Sequence, residues 1–250
     1  MLVTYTDFGI TGPYTGQLEA VLQRLAPGVT VVHLQADAPA FKPRAAGCLL
    51  RSLVGPFAPE TVFVCVVDPG VGMDRDPIWV KARGRRFVGP DNGLLAGVMR
   101  DDPQAEAHRI RWRPARLSNS FHGRDLFAPV AAALAMGEGV DSEAVCPSTL
   151  CGADWPREMA EVIYVDVYGN LVTGLSGDSV PPEARLLLGG REIAYRRVFG
   201  EAPVGELFWY VNSMGLVEVA VSEGSASRVL EAGIGASLTR ADGFEQGVSA

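Results

Sequence analysis

Apolar positions fall at helical spacing in some stretches of this chain and as unbroken runs in others, and the alternation between the two maps its elements. Residues 2–6 form a short apolar run that reads as a strand. Over residues 16–25, Leu18, Val21, Leu22 and Leu25 fall on one helical face, and Pro27-Gly28 stops that helix. The β-branched run 29–34 predicts a second strand. Residues 44–53 read as a helix. Residues 61–67 read as a strand apolar on both faces, which belongs in the middle of a covered parallel sheet. Further strands are predicted at 78–80 and 86–88, and further helices at 94–99 and 126–136. Strand, helix, strand, helix and strand follow one another over residues 2–67, which predicts an α/β domain with a central, largely parallel sheet.

The pattern changes beyond residue 140. Residues 141–157 contain Pro147, Ser148, Gly152 and Pro156 and no sustained period, which predicts a linker. Short strand-like runs follow at 162–167, 186–188, 208–211 and 216–221, separated by glycine-rich turns. That pattern predicts a small all-β, barrel-like domain. The chain therefore divides into an α/β domain over 1–150 and a C-terminal β-barrel domain over 158–250, with the last few residues loose.

Composition narrows the function classes. Acidic residues number 29 and basic residues 22, a net charge of −7, so neither nucleic acid nor a membrane surface is an expected partner. A basic cluster at residues 108–113 reads as a strand with a solvated face. No apolar run reaches the roughly 18–20 residues of a membrane helix, and the opening residues lack a secretory pattern, so a cytoplasmic protein is expected. Cys48, Cys65, Cys146 and Cys151 form no C-x-x-C pair and are expected as buried free thiols rather than disulfides or zinc ligands.

Ligands of α/β sheets gather at the carboxyl ends of strands, and polar segments fall there. They are Thr6-Asp7-Phe8-Gly9, Asp68-Pro69-Gly70-Val71-Gly72 leading to Arg75, Gly89-Pro90-Asp91-Asn92-Gly93, Phe121-His122-Gly123-Arg124-Asp125, and Asp166-Val167-Tyr168-Gly169-Asn170. Each can be a turn or a helix start by itself. Together, three carboxylates and a histidine beside glycines predict one site. The phosphate-binding motifs G-x-G-x-x-G and G-x-x-x-x-G-K-[ST] are absent, as is the G-x-S-x-G nucleophile elbow. Residue types leave a metal site on Asp7, Asp68 and Asp91 open.

These segments occur in the same order in the S-adenosyl-L-methionine (SAM) hydroxide adenosyltransferases, SAM hydrolases related to the bacterial fluorinase and chlorinase. The chain resembles that family from Thr6 to about Ala226, with Asn212-Ser213-Met214-Gly215 similar to a further family motif. The resemblance implies an α/β domain followed by a β-barrel domain. It implies a homotrimer with SAM bound between the N-terminal domain of one subunit and the C-terminal domain of the next. The implied reaction converts SAM and water to adenosine and L-methionine, with no metal or other cofactor. Asp7 matches a carboxylate that accepts both ribose hydroxyls. Asp68, Arg75 and His122 match the Asp–Arg–His set that separates the hydrolases from the halogenases. Asp166 matches a carboxylate near the methionine ammonium, Asn170 an adenine contact, and Ser213 a hydroxyl near the methionine carboxylate. Phe41 and Phe121 match aromatic positions around the ribose and the reacting carbon. The fluorinase carries a tyrosine where this chain has Asp68, a halide-binding serine where it has Gly123, and an arginine where it has Met214.

The chemistry implied is attack of water on ribose C5′ with departure of neutral methionine, which needs no proton. Water is the weak partner, so a base is required, and His122 is the natural candidate. Asp68 would orient or share the proton, and Arg75 would favour developing hydroxide. Phe121 or Val71 would form an apolar wall beside the sulfonium. The competing readings are a SAM- or adenosine-binding module without turnover, a metal-dependent hydrolase using Asp7, Asp68, Asp91 and His122, and a halogenase, which Asp68 and Gly123 argue against.

Overall fold

The unbroken apolar runs of the N-terminal part become strands buried on both faces. In the computed structural model, which describes residues 1–241, the first of two units spans Met1–Arg157. It holds β1 (Leu2–Thr6), α1 (Tyr14–Leu25), β2 (Val31–Gln35), α2 (Pro43–Leu53), β3 (Val62–Val66), β4 (Pro77–Ala82), β5 (Arg85–Pro90), α3 (Ala96–Arg100), β6 (Glu106–Ile110), α4 (Ala128–Ala135) and β7 (Ser142–Val145). Its sheet has the order β2-β1-β3-β5-β4-β6-β7. Along β3, Val62, Val64 and Val66 pack with α1 and α4 on one face, while Phe63 and Cys65 pack with α2 and α3 on the other. Phe63 stacks on Phe87 at 4.9 Å between ring centres and meets Phe57 edge-on at 5.2 Å.

Only part of this sheet is parallel. β2, β1, β3 and β5 pair in parallel, whereas β5–β4, β4–β6 and β6–β7 are antiparallel. The largely parallel sheet expected from the sequence is therefore a mixed one. The cause is local. β4 and β5 are joined by Arg83-Gly84, with φ of 50° and 74°, and positive φ at both positions of a two-residue turn closes an antiparallel hairpin. β7 lies in the stretch that reads as a linker. It is an edge strand whose Glu143 and Ala144 are exposed, so it has no apolar period to betray it. The basic cluster lies in and just beyond β6, where His108 stacks on Trp79 at 4.0 Å and Arg109 pairs with Asp76 at 2.6 Å.

The second unit begins at Glu158. It contains β8 (Met159–Val165), β9 (Leu171–Ser176), β10 (Leu186–Leu188), β11 (Arg191–Tyr195), β12 (Leu207–Val211), β13 (Leu216–Val221), α5 (Ala226–Leu230) and β14 (Thr239–Arg240). The sheet order is β14-β10-β11-β12-β13-β9-β8. Its ends nearly meet: Val162 donates to Ala236 and accepts from Gly235, both at 2.8 Å, and Glu161 bridges Ser237. The enclosed core is apolar and centred on Trp209, whose indole N–H donates to the Ala184 carbonyl at 3.1 Å. β9 and β11 are strands that the apolar runs did not announce, since Gly174 interrupts one and Arg191 and Glu192 open the other.

Of the cysteines, Cys65 is in the core, Cys48 is half-buried, and Cys146 and Cys151 are exposed, so the expectation of buried thiols fails for the last two. Among the described residues no helix is long and apolar enough to cross a membrane. The expected loose end falls beyond residue 241 and lies outside the described residues.

The Phe57–Phe63–Phe87 cluster holds β3 against the α2 face. Replacing Phe63 by Ala is expected to destabilise the first unit by about 3–5 kcal/mol, read from denaturant unfolding of that unit's transition. A loss under about 1 kcal/mol would show that β3 is not its packing centre.

Candidate functional site

The carboxyl ends of β1 and β3 are adjacent because the two strands pair in register, so the loops that leave them face a common space. Asp7 follows β1, and its backbone N–H donates to the Val66 carbonyl at 3.4 Å. Asp68 follows β3. The Asn92 side chain donates to the Val67 carbonyl at 2.9 Å and so fixes the backbone just before it. A cleft of about 500 Å³ opens here, lined by Asp7, Phe8, Tyr14, Phe41, Asp68, Val71, Phe121, His122 and Gly123 among others.

Behind its lining, Arg75 bridges Asp68 and His122. The guanidinium donates to the Asp68 carboxylate, with Nη2 at 2.5 Å and Nε at 3.1 Å from Oδ2, and Nη2 lies 2.9 Å from His122 Nδ1. The Asp68 side chain is 3% exposed and that of Arg75 11%, so both charges are largely withdrawn from water. The guanidinium also lies over the Phe127 ring, 5.3 Å from its centre. Because a guanidinium only donates, His122 Nδ1 must accept, and the neutral ring then carries its hydrogen on Nε2. Burial first, and then the Arg75 charge, hold the His122 pKa below its ordinary value, and the Asp68 charge opposes them only in part. Burial and the relay thus both favour the neutral imidazole.

Local backbone features set these positions. His122 precedes a single π-helical turn, Gly123–Phe127, where Ala128 donates to the Gly123 carbonyl five residues back before α4 begins. Pro129, in the first turn of α4, has no N–H to continue the ordinary ladder. Asp125 ties the preceding loop down by accepting from the Ser118 N–H at 3.0 Å. A Cβ on Gly123 would come within 2.8 Å of the Phe8 ring, so the wall of Phe8, Tyr14 and Phe121, edge-to-face at 5.4–6.3 Å, packs directly on bare backbone. Gly72 has φ +78° and its Cα side abuts the Asn119 carbonyl, which leaves no room for a side chain.

Asp7 faces Asp68 in the cleft. Burial raises its pKa, the Phe41 N–H at 3.4 Å opposes that rise, and the Asp68 charge adds to it. Phe41 has φ 60°, a left-handed conformation uncommon for a phenylalanine, and its ring is 76% exposed. Strain of that kind collects at binding sites.

In the second unit a wider cleft of about 840 Å³ is lined by Asp166, Tyr168, Asn170, Phe199, Tyr210 and Arg228 among others. Asp166 Oδ1 accepts from the Tyr168 and Asn170 N–H groups at 2.9 and 2.8 Å, and Oδ2 accepts from the Asn170 amide at 2.9 Å. The segment from Asp166 to Asn170 is therefore a rigid turn, with the Asn170 amide oriented by the carboxylate. Ser213 is exposed on the turn between β12 and β13 and is not among the residues lining this cleft.

Of the residues singled out by sequence, the first unit brings together Asp7, Phe41, Asp68, Val71, Phe121 and His122, with Arg75 behind them. Asp166 and Asn170 share the second cleft. Asp91 does not join them: it accepts from the Cys151 N–H at 2.9 Å, and its neighbour Asn92 serves the Val67 backbone. Among the described residues no group of three or more His, Cys, Asp or Glu side chains is placed to share a metal ion, so the Asp7, Asp68, Asp91 and His122 ligand set is not assembled. Sequence reasoning missed Phe8, Tyr14, Phe199 and Tyr210. Phe8 sits inside a segment already singled out, and Tyr210 lies in a predicted strand where it reads as packing.

Residues 2–144 match the SAM hydroxide adenosyltransferase N-terminal domain, and residues 160–239 match the C-terminal domain of the same family. The chain is 40% identical to a protein of Thermus thermophilus named (R)-S-adenosyl-L-methionine hydrolase, over 90% of this chain and 93% of that one. It is 38% identical to a protein of the same name from Salinispora arenicola, over 90% of this chain and 91% of that one. A crystal structure of an uncharacterized conserved protein from Thermotoga maritima superposes with a TM-score of 0.85 at 32% identity, covering 95% of this chain and 98% of the other.

His122 is expected to titrate below the ordinary 6.5. Arg75→Gln removes the cation that disfavours imidazolium, so the midpoint moves up. Ring-proton NMR across a pH series reads both values, and an unchanged or lower midpoint in the variant would contradict the relay.

Proposed function

The chain belongs to the SAM hydroxide adenosyltransferase family, and on that premise we propose that it is an enzyme that hydrolyses SAM to adenosine and L-methionine. The observation that carries the mechanism is the Asp68–Arg75–His122 relay, whose Asp68 and His122 line the first cleft. Water attacks ribose C5′ as the C5′–sulfur bond breaks. The sulfonium electron pair returns to sulfur, methionine leaves neutral, and one proton is released. Catalysis therefore rests on making water a nucleophile and on aligning oxygen, carbon and sulfur.

In this reading the three residues divide that work. Arg75 supplies positive charge close to the nucleophile and favours hydroxide. His122 Nδ1 is taken by Arg75, so its Nε2–H donates to the attacking oxygen and holds it in line. Asp68, the one anion of the three, takes the proton. This assigns the base to Asp68 rather than to His122, the candidate that residue type alone favours. Asp7 accepts the ribose hydroxyls, with Phe41 and Phe121 around the sugar and Val71 and Phe121 against the sulfonium. Asp166 takes the ammonium, Asn170 the adenine edge and Ser213 the carboxylate. No metal ion takes part. The homotrimer, with the first unit of one protomer meeting the second unit of its neighbour, rests on the family resemblance.

Purified protein incubated with SAM is expected to release adenosine and methionine in equal amounts, unchanged by EDTA, as read by chromatography. Unaltered SAM would leave a binding module, and EDTA sensitivity would overturn the metal-free reaction. Asp68→Asn should lower kcat about 10²–10⁴-fold near neutral pH, and its residual rate should climb with pH as bulk hydroxide replaces the missing base. The acid limb of wild-type kcat/KM should lie below the ordinary histidine range, because activity needs the neutral ring and the His122 pKa is held down. An acid limb above that range would contradict the assignment. Light scattering of the purified protein tests the trimer.

A further inference from the structure

We propose, resting on the SAM-hydrolase reading, that Glu218 is a positioning residue for substrate: its buried carboxylate fixes both the Tyr210 hydroxyl in the second cleft and the turn that carries Ser213. Glu218 lies on β13 between Val217 and Val219, which point into the barrel core, so its own side chain is on the opposite face. It is only 5% exposed. Tyr210 is its direct cross-strand partner, and the phenol donates to Oε1 at 2.6 Å. The Asn212 amide donates to Oε2 at 2.7 Å. Both oxygens are thus held by neutral donors, and among the described residues no ion pair to Glu218 is formed.

The Asn212 amide transmits this constraint. While Nδ2 is held by Glu218, Oδ1 accepts from the Met214 and Leu216 N–H groups at 2.9 and 3.1 Å. Those bonds shape the turn from Asn212 to Gly215 and set where Ser213 stands. The carboxylate holds the other end of the same amide, so it braces the group on which the turn is built. Tyr210, for its part, lines the cleft beside Asp166 and Asn170.

A buried carboxylate without a cation costs stability, and the barrel core on the other face has no need of one. On its own face it meets Tyr210, which lines the second cleft. Burial pushes the Glu218 carboxyl pKa up, and the nearby Asp166 charge adds to that rise.

Steady-state kinetics on SAM with wild type, Glu218→Ala, Glu218→Gln and Tyr210→Phe, alongside thermal unfolding midpoints, test this. Glu218→Ala should raise KM about tenfold or more with kcat within about threefold. Glu218→Gln, whose carbonyl can accept from Asn212 and whose amide can donate to the Tyr210 oxygen, should recover most of that loss, and Tyr210→Phe should fall between. If Glu218→Ala does not fold, the other two variants carry the test. A wild-type KM in the Ala variant, or in both other variants when Ala does not fold, overturns the proposal. So does a fall in kcat and unfolding midpoint at constant KM. If wild type binds SAM without hydrolysing it, the functional reading fails, and calorimetric dissociation constants of the same variants judge Glu218 by the same tenfold criterion. If wild type binds no SAM, both fall together.

Discussion

A guanidinium held in a poorly solvated pocket must be neutralised close by, and in this chain that requirement organises the first cleft. Arg75 meets Asp68 on one side and His122 Nδ1 on the other, with the Phe127 ring beneath. Removing either charge of a buried pair strands the other and costs about 3–5 kcal/mol, so the loops bearing Asp68, Arg75 and His122 are coupled in stability as well as in chemistry. Burial and the same contact together favour the neutral ring, since an imidazole that accepts from arginine cannot also be charged.

The scaffold serves that contact through backbone geometry. β1 and β3 pair in parallel and release their loops at the same end of the sheet. Gly72 and Gly123 let neighbouring chain approach where any side chain would intrude, one against the Asn119 carbonyl and the other against Phe8. The π-helical turn after His122 re-aims the chain before α4 begins. In the second unit the logic is similar with neutral partners. Asp166 accepts three N–H groups of its own turn, and Glu218 anchors Tyr210 and Asn212. In both units carboxylates hold other groups in place, which is how a site keeps its geometry on exposed loops.

Legibility in the sequence followed burial. β3 and the strands around it were visible because side chains packed on both faces leave an unbroken apolar run. β7 was invisible because an edge strand with exposed side chains leaves no periodic trace, and the β4–β5 hairpin was misjudged because its turn, Arg83-Gly84, is two residues of weak signal. Asp7, Asp68 and His122 stood out as polar residues at strand ends beside glycines. Asp91 stood out equally and belongs to the scaffold. Glu218 did not stand out, since one carboxylate in an apolar strand looks like any outward-facing residue.

By itself, then, the sequence determined the two-part architecture, the strand ends where the polar segments gather, and, through ordered motifs, the family. Those properties are written in local period and in residue identity. The tertiary structure decided the mixed direction of the first sheet, the separation of Asp91 from Asp68, the tautomer of His122, and the burial of Glu218. Each of these depends on which atoms from distant parts of the chain come within hydrogen-bond reach, and no local pattern carries that information.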